Sequence, residues 1–599
     1  MISLKRFLVL CAAFAVCSFR CFAQLSIDPN DHFYELAQQW EIRGLVKQLP
    51  PLRPYSVASI KNILQNVIKR GNEEDVEIAI EYWQRITGKV VSLSLETEAT
   101  GTVTKADGDD WDPDKLLTVK PAAVGDASLY QDWITIGYDL GITARTEEND
   151  SPFRALYVNA PFDARQDPAE LGPLYGYLDT NAGVAVGNNT IFLQAGLNRT
   201  GYGPFLGEGL ALNETGYHSA NLSFTLMKEK FSYTQQYSAV GATLSYDGSG
   251  LQPEKYVAFH ALEYKFTPSF SASYYENIVY GNRFDFSYFL PVPYMAAQGI
   301  GGNSDNLQMG LLFKKRFLNS LQWSTDLFID DFDVNKLAKG DLNSKNRFAL
   351  KTGLTFVPES GICETVSFNY TAISPYTYSH WDYDSKKTAS ISSGMYNYQN
   401  YTNNGVNIGS QYMPNTDVFS FTIAFKPMKQ MRLGVTSLFL RHANIVESDT
   451  DDEAMRYLLS DSGTYATDGT NLTHSMFGSS SSSGDHVETA WENLNFLKQS
   501  HKMYVFQTGL NASYTLPKFA FGTLTLDLSY LFQYVHNKGV DTNMYPGGRV
   551  AQNADGTFSI DRHGSYTKHQ VVQKFKTDWE KSLFDEISHF FTIGLKYRF

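Results

Sequence analysis

Cysteine is nearly missing from this chain. The 599 residues hold 4, and Cys11, Cys17 and Cys21 all fall within the first 21. Beyond them stands only Cys363, so no internal disulfide can staple the rest of the chain. Charge is scarce too: Asp, Glu, Lys and Arg make up 19%, against about 25% in ordinary soluble proteins. The net charge of −13 and the lack of any basic cluster exclude a typical nucleic-acid binder. Long apolar runs are absent and mean hydropathy is −0.28, which excludes a polytopic helical membrane protein, whose spans each need about 20 apolar residues. Enzyme signatures are lacking as well: HExxH, GxSxG, a phosphate-binding glycine loop and Cys/His metal spacing do not occur. What is abundant excludes disorder. Aromatics reach 14%, with 40 Phe, 37 Tyr and 8 Trp. The composition is that of a large β-rich protein.

The first residues indicate the compartment. Lys5 and Arg6 precede the apolar stretch Phe7–Cys17, and Cys21-Phe22-Ala23 ends on a small residue. This pattern predicts a secretory signal peptide over residues 1–23, too short to span a membrane. A lipoprotein signal at Cys17 or Cys21 is the alternative, with Val16 and Arg20 poorly suited to it. Losing Lys5, Arg6 and Arg20 would take the net charge from −13 to −16.

Residues 24–89 read as a helical bundle. Asn30 or Asp31 can cap a helix carrying Phe33, Leu36, Ala37 and Trp40. Pro50-Pro51-Leu52-Arg53-Pro54 interrupts it, and Ser56 caps a second helix with Ile60, Ile63, Leu64 and Val67 on one face. After Gly71 and Asn72 a third helix has Val76, Ala79, Ile80, Trp83 and Ile86 as its stripe. Three short helices bury little alone, so docking onto a larger body is expected.

From about Val90 the apolar period changes from 3.6 to 2. Ile134, Ile136, Tyr138, Leu140 and Ile142 alternate, as do Leu524, Leu526, Leu528, Tyr530, Phe532 and Tyr534. Segments of about 10 residues with one apolar face are the pattern of membrane-barrel strands. In lipid a sheet can satisfy its backbone only by closing on itself. Tight turns around Asn319, Pro358-Glu359-Ser360-Gly361, Pro427 and Pro517-Lys518 alternate with long connections near 374–415, 441–501 and 536–566. The reading is an all-β transmembrane barrel over residues 90–599, about 18 antiparallel strands, with a small N-terminal periplasmic helical bundle. Strand parity requires one more strand, and Thr557–Asp578 is expected to supply it as two strands turning near Gly564. Phe591, Ile593, Leu595, Tyr597 and Phe599 alternate to the last residue. This resembles the C-terminal signal by which bacterial outer-membrane barrels are recognised by the assembly machinery.

Candidate chemistry is sparse. His260 sits on a strand and is read as a satisfied lumen residue. Asp107-Gly108-Asp109-Asp110-Trp111-Asp112-Pro113-Asp114 is rich in oxygen ligands but lacks the closing Glu of a helix–loop–helix calcium site, so a solvated turn is preferred. Asp449, Asp451, Asp452 and Glu453 read the same way, and Ser479–Ser483 as a flexible tip. No metal or cofactor is expected. Tyr376, Tyr378, Trp381, Tyr383, Tyr396, Tyr398 and Tyr401 crowd one predicted loop among Ser, Asn and Asp. Flat amphipathic rings with neighbouring polar groups suit glycan stacking. A loop packed on itself, or an aromatic girdle, fits equally.

Residues 199–335 resemble the Wzi-like capsule-assembly proteins of bacterial outer membranes. The resemblance runs through Arg199-Thr200-Gly201-Tyr202-Gly203-Pro204, then Phe259-His260-Ala261-Leu262-Glu263-Tyr264 and Pro268. It continues through Tyr280-Gly281-Asn282-Arg283, Asp285, Tyr288, Pro291 and Pro293, to Asn303-Ser304-Asp305-Asn306 and Leu327-Phe328-Ile329-Asp330-Asp331-Phe332. Leu52-Arg53-Pro54-Tyr55-Ser56 is similar to the family's periplasmic helical part. The resemblance implies a barrel of about 18 strands that holds or assembles surface polysaccharide, with no catalytic residues to carry over. The expected partners are outer-membrane lipid, the barrel-assembly machinery and a surface polysaccharide, with no nucleic acid. A porin or substrate-specific channel is the rival, and a surface adhesin a third reading.

Overall fold

The computed structural model describes residues 28–88, 91–157, 168–244, 254–281, 283–302, 305–331, 338–339, 346–379, 396–445, 447, 450–459, 496–520 and 522–599. The predicted signal peptide lies outside them, as do Trp381, Tyr383, Asp449 and Ser479–Ser483.

Three helices come first: α1 (His32–Ile42), α2 (Val57–Arg70) and α3 (Glu73–Thr87). Each start is capped by its own sequence. Asp31 accepts from the Phe33 amide, Ser56 from Ser59, and Asn72 and Asp75 form a reciprocal capping box. Phe33, Trp40, Ile60, Ile63, Leu64, Val67, Ala79 and Ile86 make one core, while Ile80 is exposed. Arg43 grips Asp75 with two hydrogen bonds of 2.7 Å, tying α1 to α3.

The barrel wall follows in chain order. Its strands are β1 (Ser92–Ala106), β2 (Asp112–Leu129), β3 (Ile134–Arg145), β4 (Tyr175–Gly187), β5 (Ile191–Asn198) and β6 (Ser219–Met227). Next come β7 (Phe231–Gly241), β8 (Glu254–Thr267), β9 (Phe270–Gly281), β10 (Asn306–Phe317), β11 (Leu321–Asp331) and β12 (Arg347–Phe356). The last six are β13 (Cys363–Ile373), β14 (Thr416–Met428), β15 (Met431–Ala443), β16 (Lys502–Phe519), β17 (Gly522–Lys538) and β18 (Phe584–Arg598). All 18 pair antiparallel with their neighbours, and β18 closes on β1 from Ser94↔Arg598 to Ala106↔Glu586.

Alternation sorts the wall into two faces. On β3, Ile136, Leu140 and Ile142 are exposed outward while Thr135 and Thr143 are buried. On β18, Phe591, Ile593 and Leu595 point out and Phe590 points in. No helix among the described residues is long and apolar enough to cross a membrane; the strands provide the crossing.

One end of the barrel carries only tight turns. The three helices lie across that end and touch its rim at many points. Lys61 meets Asp132 at 2.6 Å, and Arg316 donates to the Glu41 carbonyl at 2.6 Å. Asn72 reaches the Glu359 carbonyl at 3.2 Å, and Lys426 pairs with Glu74 at 2.8 Å. Short turns mark the periplasmic end of an outer-membrane barrel, so the bundle lies beneath it.

The segment expected to hold two strands departs from that reading. Phe558–Ile560 and His563–Tyr566 are short strands of a three-stranded sheet outside the wall. Residues Lys568–Ser582 then form a helix. Thr567 and Gln570 cap it reciprocally, and Val571, Val572, Phe575 and Trp579 form its buried stripe. Parity is satisfied without that segment, because β17 runs to the long-loop end and β18 returns.

Candidate functional site

Described segments enter the barrel interior from both ends, while the inward-facing Glu98, Thr436, Asn511 and Asp527 remain exposed. At the periplasmic end, Leu52–Arg53 pairs antiparallel with Gly201–Tyr202, so two pieces of the family-like pattern meet inside the lumen. The Arg53 guanidinium donates to Glu214 through Nε and Nη2, each at 3.2 Å, and to the Gly203 carbonyl at 2.6 Å. Arg53 and Glu214 are 4% and 1% exposed, which leaves them dependent on each other. Gly201 is required here, since a Cβ would lie 2.0 Å from a Glu214 carboxylate oxygen. Gln38 of α1 donates to the Pro204 carbonyl at 2.5 Å. Beside this junction lies a cavity of about 40 Å³ lined by Glu41, Arg53, Tyr202, Glu263 and Lys314. Such a volume holds a few waters rather than a sugar.

Residues 199–218 continue as a strap up the lumen. Leu210, Ala211 and Leu212 pack against the inward residues Val257, Phe259, Tyr275, Leu312 and Phe328. Residues 374–379 and 396–415 fold onto the strap from the other end. Tyr378 donates to the Leu210 carbonyl at 3.0 Å and Tyr401 to the Ala211 carbonyl at 2.6 Å. Their rings stack at 5.9 Å, and Tyr378 lies 4.8 Å from Phe328. Glu208 of the strap pairs with Lys351 at 2.7 Å and accepts from Tyr412 at 2.8 Å. Above these, helices at Asp451–Leu458 and Lys568–Ser582 extend the same core with Met455, Tyr457, Phe575 and Trp579.

The predicted glycan-binding residues thus divide. Tyr376, Tyr378 and Tyr398 are buried at 4%, 0% and 4% exposure, their rings inside the structure. Tyr396 pairs through its backbone with Leu244. Trp381 and Tyr383 are outside the described residues.

A second cluster lies on the outer wall. His260 is not a lumen residue. Its strand neighbours Leu262 and Tyr264 are exposed on the outward face, while Phe259 and Ala261 join the lumenal core. Alternation alone shows that two faces exist but not which one faces in. His260 is buried all the same, because residues 283–302 fold back over it. It bonds Glu276 at 2.9 Å and stacks on Tyr294 at 4.1 Å. Glu276 also accepts from the Tyr274 hydroxyl and the Tyr294 amide, each at 2.6 Å.

The remaining family-like positions fall at these two junctions or nearby. Gly201, Gly203, Pro204 and Glu263 surround the plug contact. Asp305 accepts from Arg283 and, at 2.6 Å, from Tyr288, closing the outer fold. Asn306 donates to the Gln399 carbonyl at 2.8 Å, and Asp330 accepts from the Tyr378 amide at 2.6 Å. Asp331 ends β11. Glu214, Glu276 and Lys351 were not singled out from sequence. Glu276 carried a signal: it is the charged residue on a face otherwise formed by Ala272, Tyr274, Ile278 and Tyr280.

The acidic runs have structural settings. Residues 107–112 lie exposed at the β1–β2 turn. Asp451 and Asp452 begin a helix and pair with His569 and Lys568. Among the described residues, no three His, Cys, Asp or Glu side chains cluster as a metal site would require.

No family model matches the sequence, and no curated protein does. Among solved structures, the fold is similar to Wzi of Escherichia coli, described as an outer membrane protein involved in group 1 capsule assembly and a carbohydrate-binding β-barrel. The identity is 13%, the alignment covers 96% of this chain and 99% of that one, and the TM-score is 0.50. OccAB4 of Acinetobacter baumannii aligns at 10% identity over 85% of this chain and 99% of that one, TM-score 0.38. OprD of Pseudomonas aeruginosa aligns at 10% identity over 85% and 93%, TM-score 0.37. The likeness to Wzi is one of fold: this chain has the fold of an outer-membrane β-barrel.

Proposed function

We propose that this barrel binds and helps anchor or assemble a surface polysaccharide of capsular type, without bond breaking. The observation that carries the reading is that folded segments enter the lumen from both ends and meet inside it. The N-terminal helices, the strap and residues 374–379 and 396–415 form buried contacts within the barrel, which suits a binding platform better than a diffusion channel. The likeness in fold to Wzi, a carbohydrate-binding β-barrel, supports carbohydrate as the ligand class. The chain would be exported by a cleaved signal peptide and inserted by the barrel-assembly machinery, with Phe591, Ile593, Leu595, Tyr597 and Phe599 as the signal. We assign glycan contact to the aromatic segment containing Trp381, Tyr383 and Tyr396, with Tyr376, Tyr378 and Tyr398 as its footing. Stacking on sugar C–H faces and hydrogen bonds to hydroxyls would supply the affinity.

Two measurements test this. The purified protein in planar bilayers is expected to pass no steady current; steady conductance would favour the porin reading. Trp381→Ala with Tyr383→Ala is expected to weaken polysaccharide pull-down by about tenfold or more, as each lost aromatic contact is worth of order 1 kcal/mol. Unchanged binding would remove the segment from the mechanism.

A further inference from the structure

The fold-back on the outer wall has an apolar outer surface as well as a buried inner one. Its inner side is fixed to the barrel. Tyr237 stacks on Phe289 at 4.2 Å, and Gln235 donates to the Tyr288 carbonyl at 2.8 Å. The helix Tyr294–Gly301 presents its first amide to Glu276, where the positive end of its dipole meets a carboxylate. Arg283 and Asp305 clamp the two ends of the segment together.

Its outer side exposes Phe284 at 59%, Phe286 at 66%, Leu290 at 44%, Met295 at 53% and Ile300 at 90%. From Phe284 to Gly302 the sequence holds one charged residue, Asp285, in a chain that is 19% charged. Asp285 turns inward on its own segment, accepting from the Ser287 amide at 3.0 Å and hydroxyl at 2.6 Å. A loop bathed in water would not be expected to have this composition.

Height decides what covers it. His260 is seven residues from the end of β8 at Thr267. At about 3.3 Å per residue and a tilt near 40°, that is roughly 18 Å above the periplasmic rim, inside an apolar band about 25 Å tall. The segment is pinned at that level through Glu276. Just below it, Leu262, Tyr264 and Tyr274 belong to the exposed apolar belt of the wall. The geometry points to a lipid-immersed flap: residues 283–302 lie back along the barrel and present Phe286, Met295 and Ile300 to the acyl chains of the outer leaflet. The flap also shields Gln235, His260 and Glu276, polar groups that would otherwise face hydrocarbon.

Spin labels test this in the full barrel reconstituted into phospholipid vesicles. Ile300→Cys and Met295→Cys are made in a Cys363→Ser background, with Leu193→Cys on the exposed wall and Asp109→Cys at the solvated turn as references. Heat-modifiable migration on gels checks that each variant is folded. Labels at residues 300 and 295 are expected to collide with oxygen far more than with a water-soluble nickel reagent, as at residue 193. A ratio like that at residue 109 would overturn the proposal. So would protection from both reagents, which would mean that a second copy covers the flap.

Discussion

Replacing Arg53 by methionine should loosen the plug by a predictable amount. The guanidinium makes two hydrogen bonds of 3.2 Å to Glu214 and one of 2.6 Å to the Gly203 carbonyl. Its loss leaves a carboxylate that is 1% exposed with the Gly207 amide, at 3.0 Å, still donating to it. Breaking one side of a buried pair costs about 3–5 kcal/mol. The surviving amide bond and the adjoining cavity of about 40 Å³, which admits water, place this case near the lower end. At about 1.4 kcal/mol per tenfold, about 3 kcal/mol shifts the docking equilibrium by roughly a hundredfold. Native-state hydrogen exchange reads this directly. Amides in residues 52–56 and 201–216 should exchange about a hundredfold faster, while those of β16–β18 hold their rates. The double variant Arg53→Met with Glu214→Leu should recover most of the protection, because neither charge is then buried alone. Unchanged exchange in the single variant, or no recovery in the double, would refute the reasoning.

Two further outcomes follow from the docked ends of the chain. Burial would raise the Glu35 carboxyl, but the hydrogen bond and charge of His32 and the charge of Arg432 outweigh it and hold it down at about 2. A depressed carboxylate stabilises fully above its usual value near 4.5 and loses that contribution as pH falls toward about 2. With the side chain 47% exposed, the effect is at most about 1 kcal/mol. Denaturation of the wild type and Glu35→Gln should differ at pH 6 and converge near pH 2; a difference persisting at pH 2 would contradict it. Phe599→Ala should leave refolding in detergent unchanged, since the backbone bond from Phe599 to Leu93 at 2.9 Å remains, yet lower the folded fraction in cell membranes. Equal assembly in cells would dismiss Phe599 as a signal.

The wall was legible because its code is local. A period of 2 can be read over five residues, as on Ile134–Ile142, and tight turns announce themselves through Pro, Gly and Asn. Helix caps at Asp31 and Ser56 were equally local. The helix Lys568–Ser582 is equally legible, although strand parity counted from the sequence favours two strands over Thr557–Asp578. Thr567 and Gln570 form the capping-box pattern, and Val571, Val572, Phe575 and Trp579 keep helical spacing. What local pattern does not encode is direction. Whether a loop enters the lumen, as 199–218 does, or folds outside, as 283–302 does, depends on contacts between residues far apart. The same limit put His260 on the wrong face. It also left the buried tyrosines at 376, 378 and 398 indistinguishable from exposed ones.

The rim contacts of the N-terminal helices impose an order on biogenesis. Glu74 bonds Lys426 and Glu35 bonds Arg432, partners separated by 352 and 397 residues. The helices precede the wall in the chain, yet part of their seat lies at a turn that exists only once β15 is in place. Closing such distances is slow. These helices therefore cannot complete their seat until β14 and β15 have paired.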